Sequence, residues 1–220
     1  MCMEVHESSL EVVKTARYCT LGTDITAAKR VWFACHGYGQ LARYFIRKFA
    51  ALDLDSNCII APEGLHRFYL DGNSGRVGAS WMSKEARLHD IRDYISYLDR
   101  VHQDSGAHQL AAHQQLVHFG FSQGVATMAR YIAEGRYKAH KAVFWAGSFP
   151  PDIDMKYSRA FQDCEAYACL GDADPYGKKE HIERNQEHFK ALGMAPKYFQ
   201  FAGGHEIPSD ALRTLDKMML

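Results

Sequence analysis

Short apolar runs alternate along this chain with longer segments in which apolar residues recur every three or four positions. The apolar runs have the length of buried strands and lie at residues 30–35, 58–62, 116–119, 142–145, 165–170 and 197–201. Strands that are almost wholly apolar are typical of parallel sheets covered on both faces. The pattern therefore predicts an α/β fold, in which β–α–β units build a mostly parallel central sheet with helices on both faces.

Helical spacing marks the segments between these strands. Helices are predicted at residues 41–52, 83–102, 125–133 and 178–192, and after residue 208. In the second helix Ser83 is the expected N-cap. Its core-facing stripe is expected to consist of Leu88, Ile91, Ile95, Leu98 and Val101. Residues 10–21 mix β-branched and alternating positions, which indicates one or two antiparallel strands at the N-terminus.

Residues 63–81 show neither the continuous apolar character of the buried strands nor the spacing of three to four residues that marks the helices. The segment is rich in glycine and aromatic residues and has the length of a long connection between two elements. Structureless segments of this length in a compact domain are usually functional loops. We therefore expect a functional loop here.

The composition restricts the class of protein. The 220 residues suffice for a sizeable core, and we expect a single domain over residues 1–220. Lys and Arg together number 26, as do Asp and Glu, so the total charge gives no support for a nucleic-acid partner. No apolar run approaches the length of a membrane span, and the N-terminus lacks the regions of a signal peptide. We therefore expect a cytoplasmic protein with no integral membrane segment.

The cysteines and histidines give no metal signal. Six cysteines show no dense framework, so reduced thiols are expected. Cys164 and Cys169 lie an odd number of positions apart on a predicted strand, which places them on opposite faces. Most of the 12 histidines lie in polar stretches without ligand spacing. No metal and no cofactor are predicted.

One pentapeptide carries the clearest chemical signal. Gly120-Phe121-Ser122-Gln123-Gly124 lies between a predicted strand and a predicted helix. A serine on a sharp strand-to-helix turn, with glycines two residues to either side, is the pattern of the nucleophile elbow. Its hydroxyl would lie at the N-terminus of a helix, whose dipole favours negative charge.

The partners that such a serine needs follow in the order typical of α/β-hydrolases. A serine hydroxyl needs a base to accept its proton, and a buried carboxylate orients the histidine that serves as the base. Ser122 is followed by Asp172 and Asp174 in one loop and then by His205, each just past a predicted strand. The carboxyl ends of parallel strands meet at one edge of a sheet, so one site is predicted. These residues alone do not choose between the two aspartates.

The chain resembles the lysophospholipase/carboxylesterase family of α/β-hydrolases, which includes acyl-protein thioesterases. The resemblance covers about residues 30–220 and rests on His36-Gly37-Tyr38-Gly39, the pentapeptide, Gly171-x-x-Asp174-Pro175 and Gly204-His205. It implies the α/β-hydrolase fold, with Ser122 as nucleophile, Asp174 as the acid and His205 as the base. It also implies an oxyanion hole formed by the backbone N–H groups of Tyr38 and Gln123, in agreement with the general rule for this fold.

Two departures from the family pattern bear on the substrate. Family members commonly carry Leu-Gly-Asp where this chain has Tyr38-Gly39-Gln40, and residues 75–82 replace a shorter Ser-Trp segment. A bulky Tyr38 is expected to reshape the acyl pocket. Trp81, Tyr69 and Phe149 are candidates for lining a substrate groove, with packing in the core or a loop as the equal alternative. His36 is expected to have a structural, hydrogen-bonding role.

The predicted function is that of a serine hydrolase that cleaves carboxylic esters of small or single-chain acyl groups through an acyl-enzyme. The chain is too short for a large cap domain, so an open site is expected. The predicted partner is a small-molecule ester or lipid-like substrate, and a homodimer is compatible with the sequence. One alternative is a lysophospholipase or acyl-protein thioesterase that acts on long-chain acyl groups. The other is a non-catalytic binding protein with this fold, against which the complete set of three residues argues.

Overall fold

A seven-stranded sheet forms the centre of the computed structural model, which describes residues 5–220. The strands in chain order are β1 (Tyr18–Gly22), β2 (Arg30–Cys35), β3 (Asn57–Pro62), β4 (His66–Asp71), β5 (Ser74–Ser80), β6 (Gln115–Phe121), β7 (Lys141–Trp145), β8 (Glu165–Gly171) and β9 (Lys197–Phe201). The order across the sheet is β1-β3-β2-β6-β7-β8-β9, while β4 and β5 form a separate two-stranded sheet that an isolated bridge between Ala79 and Gln40 links to the loop after β2. All neighbours in the sheet are parallel except β1 and β3. The predicted mostly parallel sheet with an antiparallel N-terminal strand is confirmed.

Helices cover both faces of the sheet, as predicted. They are α1 (Ala42–Phe45), which continues as a 3-10 helix (Ile46–Ala51), α2 (Arg87–Asp104), α3 (Gln123–Glu134), α4 (Ser158–Gln162), α5 (Lys179–Ala191) and α6 (Ser209–Met218), with a short 3-10 turn (Met155–Tyr157) before α4. Two apolar clusters lie between these helices and the sheet, one on each face. The cluster on one face includes residues of α2, α3, α4 and α5. The cluster on the other face includes residues of α1, the 3-10 helix and α6.

Strand β2 shows why the central strands are continuously apolar. All six of its residues are buried. Val31 and Phe33 pack in one apolar cluster, whereas Trp32 and Ala34 pack in the other. Because successive side chains of a strand point to opposite faces, a strand with both faces covered is apolar at nearly every position, and the exception in β2, Arg30, is paired with Asp216.

The structure corrects the prediction for residues 63–81. This segment is not a structureless loop, because β4 and β5 form an antiparallel hairpin within it. Asp71 pairs with Ser74, so the two strands are joined by the dipeptide Gly72-Asn73, a common hairpin connection. Most residues of both strands are exposed, and only the last three residues of β5 are buried. Because most of the hairpin is exposed to solvent, its sequence has no alternation of apolar and polar positions that would have revealed the strands.

Four local predictions are also corrected. Helix α2 begins at Arg87, after Ala86 in a left-handed conformation, so Ser83 is not its N-cap; the backbone N–H of Ser83 donates instead to the side chain of Asp90. Leu88 is 72% exposed and does not belong to the buried stripe of α2, which includes Tyr94 in addition to the other residues expected. The strand expected within residues 10–21 begins only at Tyr18, and the helix expected at residues 41–52 becomes a 3-10 helix after its first turn.

Candidate active site

Ser122 lies on a strained turn between β6 and α3. Its backbone φ of 54° and ψ of −117° lie outside the regions that residues other than glycine favour. The turn is held by the backbone N–H of Ser122, which donates to the carbonyl of Trp145 on the neighbouring strand at 2.9 Å. A Cβ at Gly120 would overlap the Gly124 backbone, and one at Gly124 would overlap the backbone of Cys35. The backbones therefore approach closely enough to require both glycines of the motif.

Three side chains from separate loops form one hydrogen-bonded chain. The Oγ atom of Ser122 lies 2.9 Å from Nε2 of His205, and Nδ1 of His205 lies 2.8 Å from Oδ2 of Asp174. The side chain of Asp174 is completely buried, and its Oδ1 accepts a second hydrogen bond from the backbone N–H of Tyr176 at 2.8 Å. A carboxylate at Nδ1 favours the tautomer in which Nδ1 carries the proton and Nε2 is free to accept one from the serine.

Asp172 and Asp174 have different surroundings. Asp172 is exposed, and its Oδ1 accepts a hydrogen bond from the backbone N–H of Gly203 at 2.9 Å. The backbone N–H groups of Asp172 and Ala173 donate to carbonyls of Phe201 and Gly203. The Asp172 carboxylate thus ties the loop after β8 to the loop that carries His205, as a structural turn residue would. Only Asp174 contacts the imidazole.

The backbone N–H groups of Tyr38 and Gln123 lie at the ends of two neighbouring strands. Tyr38 follows β2, Gln123 follows Ser122 at the first position of α3, and β2 pairs with β6 as far as Cys35 and Gly120. Within residues 5–220 neither N–H group donates a hydrogen bond. Both residues line the cavity beside Ser122. The side chain of Tyr38 is 62% exposed and packs against Phe68 of the hairpin, with 5.1 Å between the ring centroids.

His36 has the hydrogen-bonding role that the sequence indicated. Its ring is fully buried. Nδ1 lies 2.8 Å from the carbonyl of Gly37, to which it donates, and Nε2 accepts from the backbone N–H of Gly64 at 2.9 Å. Burial lowers the pKa of His36 to about 4. The neutral ring therefore connects the loop after β2 to the start of the segment that contains the hairpin.

A cavity of about 470 Å³ opens beside Ser122 and extends between the sheet and α5. Its inner wall is mainly apolar and consists of Phe144, Ala146, Ala168, Leu170, Ile182 and Phe189. Asn185 lies among these residues, and its side chain holds the loop after β7 through hydrogen bonds with the Gly147 carbonyl and the Phe149 N–H. Sequence reasoning missed this wall. Ile182 and Phe189 did show helical spacing, but that spacing indicates a buried face without distinguishing core from cavity.

The three aromatic candidates for a substrate groove lie outside this cavity. Trp81 and Phe149 are 0% and 2% exposed and pack in the apolar core. Tyr69 is exposed on the hairpin and is not part of the cavity wall. Of the two alternatives given by the sequence, packing in the core is therefore the one observed for Trp81 and Phe149, while Tyr69 lies on the exposed hairpin.

The described residues give no sign of a metal site or of a membrane span. Among residues 5–220 there is no group of three or more His, Cys, Asp or Glu side chains that could hold a metal ion. In the same part of the chain no helix has both the length and the apolar character needed to cross a membrane. Cys164 and Cys169 pack on different faces of the sheet, as their spacing predicted.

The fold is similar to that of esterases and thioesterases of known structure. Acyl-protein thioesterase 2 from Zea mays superposes with a TM-score of 0.71 at 18% identity, over 93% of this chain and 98% of that one. A phospholipase/carboxylesterase from Dyadobacter fermentans gives 0.66 at 18% identity, over 95% and 98% of the two chains. A carboxylesterase from Bacillus cereus gives 0.65 at 12% identity, over 92% of each chain.

These similarities show that the chain has the α/β-hydrolase fold, as the resemblance implied. The structural neighbours include carboxylesterases, an esterase and a thioesterase. Neither a family model nor a curated protein sequence matches the chain. The identities of 12–18% for these three structures establish the fold, and a fold by itself does not determine the activity.

Proposed function

We propose that this protein is a serine hydrolase that cleaves carboxylic esters of small or single-chain acyl groups through an acyl-enzyme on Ser122. The observation that supports this most is the unbroken hydrogen-bonded chain from Ser122 through His205 to Asp174. A buried carboxylate, an imidazole and a serine on a strained turn are the parts that nucleophilic acyl transfer requires.

The proposed reaction has two halves. His205 accepts the proton of Ser122 at Nε2 as Oγ attacks the ester carbonyl, and then donates that proton to the leaving alcohol. The resulting acyl-enzyme is hydrolysed by a water molecule that His205 deprotonates in the same way. Asp174 stabilises the imidazolium in both halves. The free N–H groups of Tyr38 and Gln123 would donate to the oxyanion that forms in each tetrahedral intermediate.

The cavity supports an acyl group of limited size as the substrate. Its volume of about 470 Å³ is within the range of small-molecule sites, and its apolar wall begins beside Ser122. An acyl chain attached to the serine could therefore be removed from water along that wall. The leaving alcohol would lie on the outer side, near the exposed rings of Tyr38 and Tyr176.

A fluorophosphonate probe tests this function directly. We expect one adduct, on Ser122, together with turnover of p-nitrophenyl esters by the native chain. The S122A variant should show neither, while S74A, which removes an exposed hydroxyl on the hairpin, should show both. A native chain that is not labelled on Ser122 would rule out the proposed nucleophile.

The second candidate is a lysophospholipase or acyl-protein thioesterase that acts on long-chain acyl groups. The apolar wall between the sheet and α5 favours it, because that wall would also accept a longer chain. Comparing short-chain esters with lysophospholipids and long-chain thioesters distinguishes the two candidates. A kcat/KM that rises steadily with chain length supports the second, whereas a maximum at short chains supports the first.

The same proposal includes a single domain and a cytoplasmic location. Two apolar clusters on the faces of one sheet are consistent with one folding unit over residues 1–220. The five described cysteines are free thiols, which is the usual state in a reducing compartment. Fractionation of cells that express the protein checks the location.

A further inference from the structure

The end of the hairpin contacts both groups that carry the proposed oxyanion hole. We call residues 79–82 the brace; they comprise the last two residues of β5 and the two residues after it. The loop with Tyr38 follows β2, and Gln123 begins α3, so the two donors belong to segments far apart in the sequence. Beyond the ends of β2 and β6 the two segments have no ladder between them. Their relative position there depends on other contacts.

On one side, the brace is bonded to the loop of Tyr38. The backbone N–H of Gly39 donates to the carbonyl of Ala79 at 2.8 Å, and the N–H of Ala79 donates to the carbonyl of Gln40 at 3.2 Å. The indole Nε1–H of Trp81 donates to the carbonyl of His36 at 2.8 Å. A Cβ at Gly78, just before the brace, would lie 2.5 Å from the Gly39 carbonyl oxygen, which shows how closely the two backbones approach.

On the other side, the brace is bonded to the side chain of Gln123. The backbone N–H of Trp81 donates to Oε1 of Gln123 at 3.2 Å. The Nε2 group of Gln123 donates to Oγ of Ser80 at 3.0 Å and to the carbonyl of Met82 at 3.1 Å. The amide thus forms hydrogen bonds with three consecutive residues of the brace.

Trp81 is the brace residue with hydrogen bonds to both sides. Its indole holds the carbonyl two residues before Tyr38, and its backbone holds the side chain of Gln123. The side chain is fully buried, so the indole has no water to replace the His36 carbonyl. Its ring also packs against His36, with 5.0 Å between the ring centroids.

We infer that Trp81 is a positioning residue that fixes the spacing of the Tyr38 and Gln123 N–H groups. This inference rests on the proposed function. An oxyanion hole acts through donors that are already aimed at the charge of the transition state, and small displacements reduce its effect strongly. Loss of the brace contacts should therefore weaken binding of the transition state while leaving binding of the uncharged ester nearly unchanged.

The W81F variant tests the inference, with W32F as its matched control. Both tryptophans are fully buried, and each indole donates one hydrogen bond. The indole of Trp32 donates to Oδ1 of Asn57 at 2.9 Å, and neither of these two residues lines the cavity. For W81F we expect kcat/KM to fall roughly 10- to 100-fold, less than or similar to the loss of a whole oxyanion donor. For W32F we expect kcat/KM within about threefold of the native value, because the same packing loss occurs away from the donors.

A transition-state analogue separates positioning from general destabilisation. A trifluoromethyl ketone forms a tetrahedral adduct with Ser122 that carries an oxyanion, whereas the primary amide of the same acyl group binds uncharged. The affinity of W81F for the ketone should fall by the same factor as kcat/KM, and its affinity for the amide should stay unchanged. Equal losses for the ketone and the amide, or equal losses in W81F and W32F, would overturn the inference.

The Q123M variant keeps the test decisive if W81F does not fold. Methionine retains the backbone N–H and the length of the side chain but lacks the hydrogen bonds to the brace. We expect the same selective loss of ketone affinity; unchanged ketone affinity would overturn the inference. In the W81F/Q123M double variant the losses should not add, because both act through one set of contacts. A native chain that binds no ketone and cleaves no ester would instead refute the proposed function itself.

Discussion

Acidification should destabilise this protein strongly between about pH 7 and pH 5, because three histidines are buried in their neutral form. Burial lowers the pKa of His36 to about 4 and that of His102 to about 3, and it lowers the pKa of His118 well below the ordinary value. The ring nitrogens of His118 have no hydrogen-bond partner among the described residues. His102, with its ring centroid 5.3 Å away, and Lys138 further oppose a positive charge there.

The loss of stability at low pH follows from the uptake of protons on unfolding. In the unfolded chain each of these histidines titrates near pH 6.5, so below that pH unfolding binds protons and becomes more favourable. At pH 5 the difference amounts to about 2 kcal/mol for each histidine, or about 6 kcal/mol for the three together. A domain of this kind has a total stability of about 5–15 kcal/mol, so the effect should be large. Above pH 6.5 the contribution to the free energy of unfolding becomes constant.

Urea unfolding followed by tryptophan fluorescence measures this effect, since all three tryptophans are fully buried. The H118F variant should reduce the loss of stability at pH 5 by about 2 kcal/mol, because one of the three proton-binding rings is absent. The control H113Q changes an exposed histidine and should leave the pH dependence as in the native chain. A native free energy of unfolding that is equal at pH 7.5 and pH 5, or an H118F variant that behaves like H113Q, would refute the reasoning.

Two further predictions concern the reaction. D174N should lower kcat by roughly 10⁴-fold, because the amide no longer selects the reactive tautomer of His205. The kcat of D172N should stay within a few-fold of the native value, because its side-chain oxygen can still accept a hydrogen bond from Gly203. Equal losses of kcat in the two variants, measured by steady-state kinetics, would contradict the assignment of Asp174. I182W should fill the inner part of the cavity and shift the chain-length preference towards shorter acyl esters, whereas E183W places the same ring on the exposed side of α5 and should leave the preference unchanged. An unchanged chain-length profile in I182W would show that the acyl chain lies elsewhere.

The sequence was most informative where a residue's environment is set by the sheet. The strands from β2 to β9 in the main sheet lie close to the apolar runs that predicted them, and the central strands β2, β3, β6 and β7 are buried on both faces. Ser122, Asp174 and His205 meet because parallel strands bring their carboxyl ends to one edge. The fold and the meeting of these three side chains therefore required no knowledge of detailed packing.

The hairpin and its neighbours were not predictable in the same way. Apart from the buried end of β5, its strands are exposed to solvent, so they carry no alternation of apolar and polar residues from which to infer them. For Trp81 the sequence left lining of a substrate groove and packing in the core as equal alternatives, and the structure shows the side chain buried with its indole N–H donating to the His36 carbonyl. Such contacts depend on how two backbones approach in space. A single sequence records that approach only indirectly, in residues such as Gly78.

The parallel sheet positions the residues of the proposed reaction, whereas the hairpin contributes to the part of the site that would determine substrate selectivity. The serine, the histidine and the aspartate lie on loops fixed by the parallel sheet, whereas the hairpin reaches the site from outside it and pairs with the loop of Tyr38. Tyr38 contacts Phe68 on the hairpin's first strand, while Ala79 on its second strand is bonded to Gly39 and Gln40. A change in the exposed part of the hairpin can therefore alter the outer wall, where a leaving group would lie, while the buried brace keeps the two N–H donors in place.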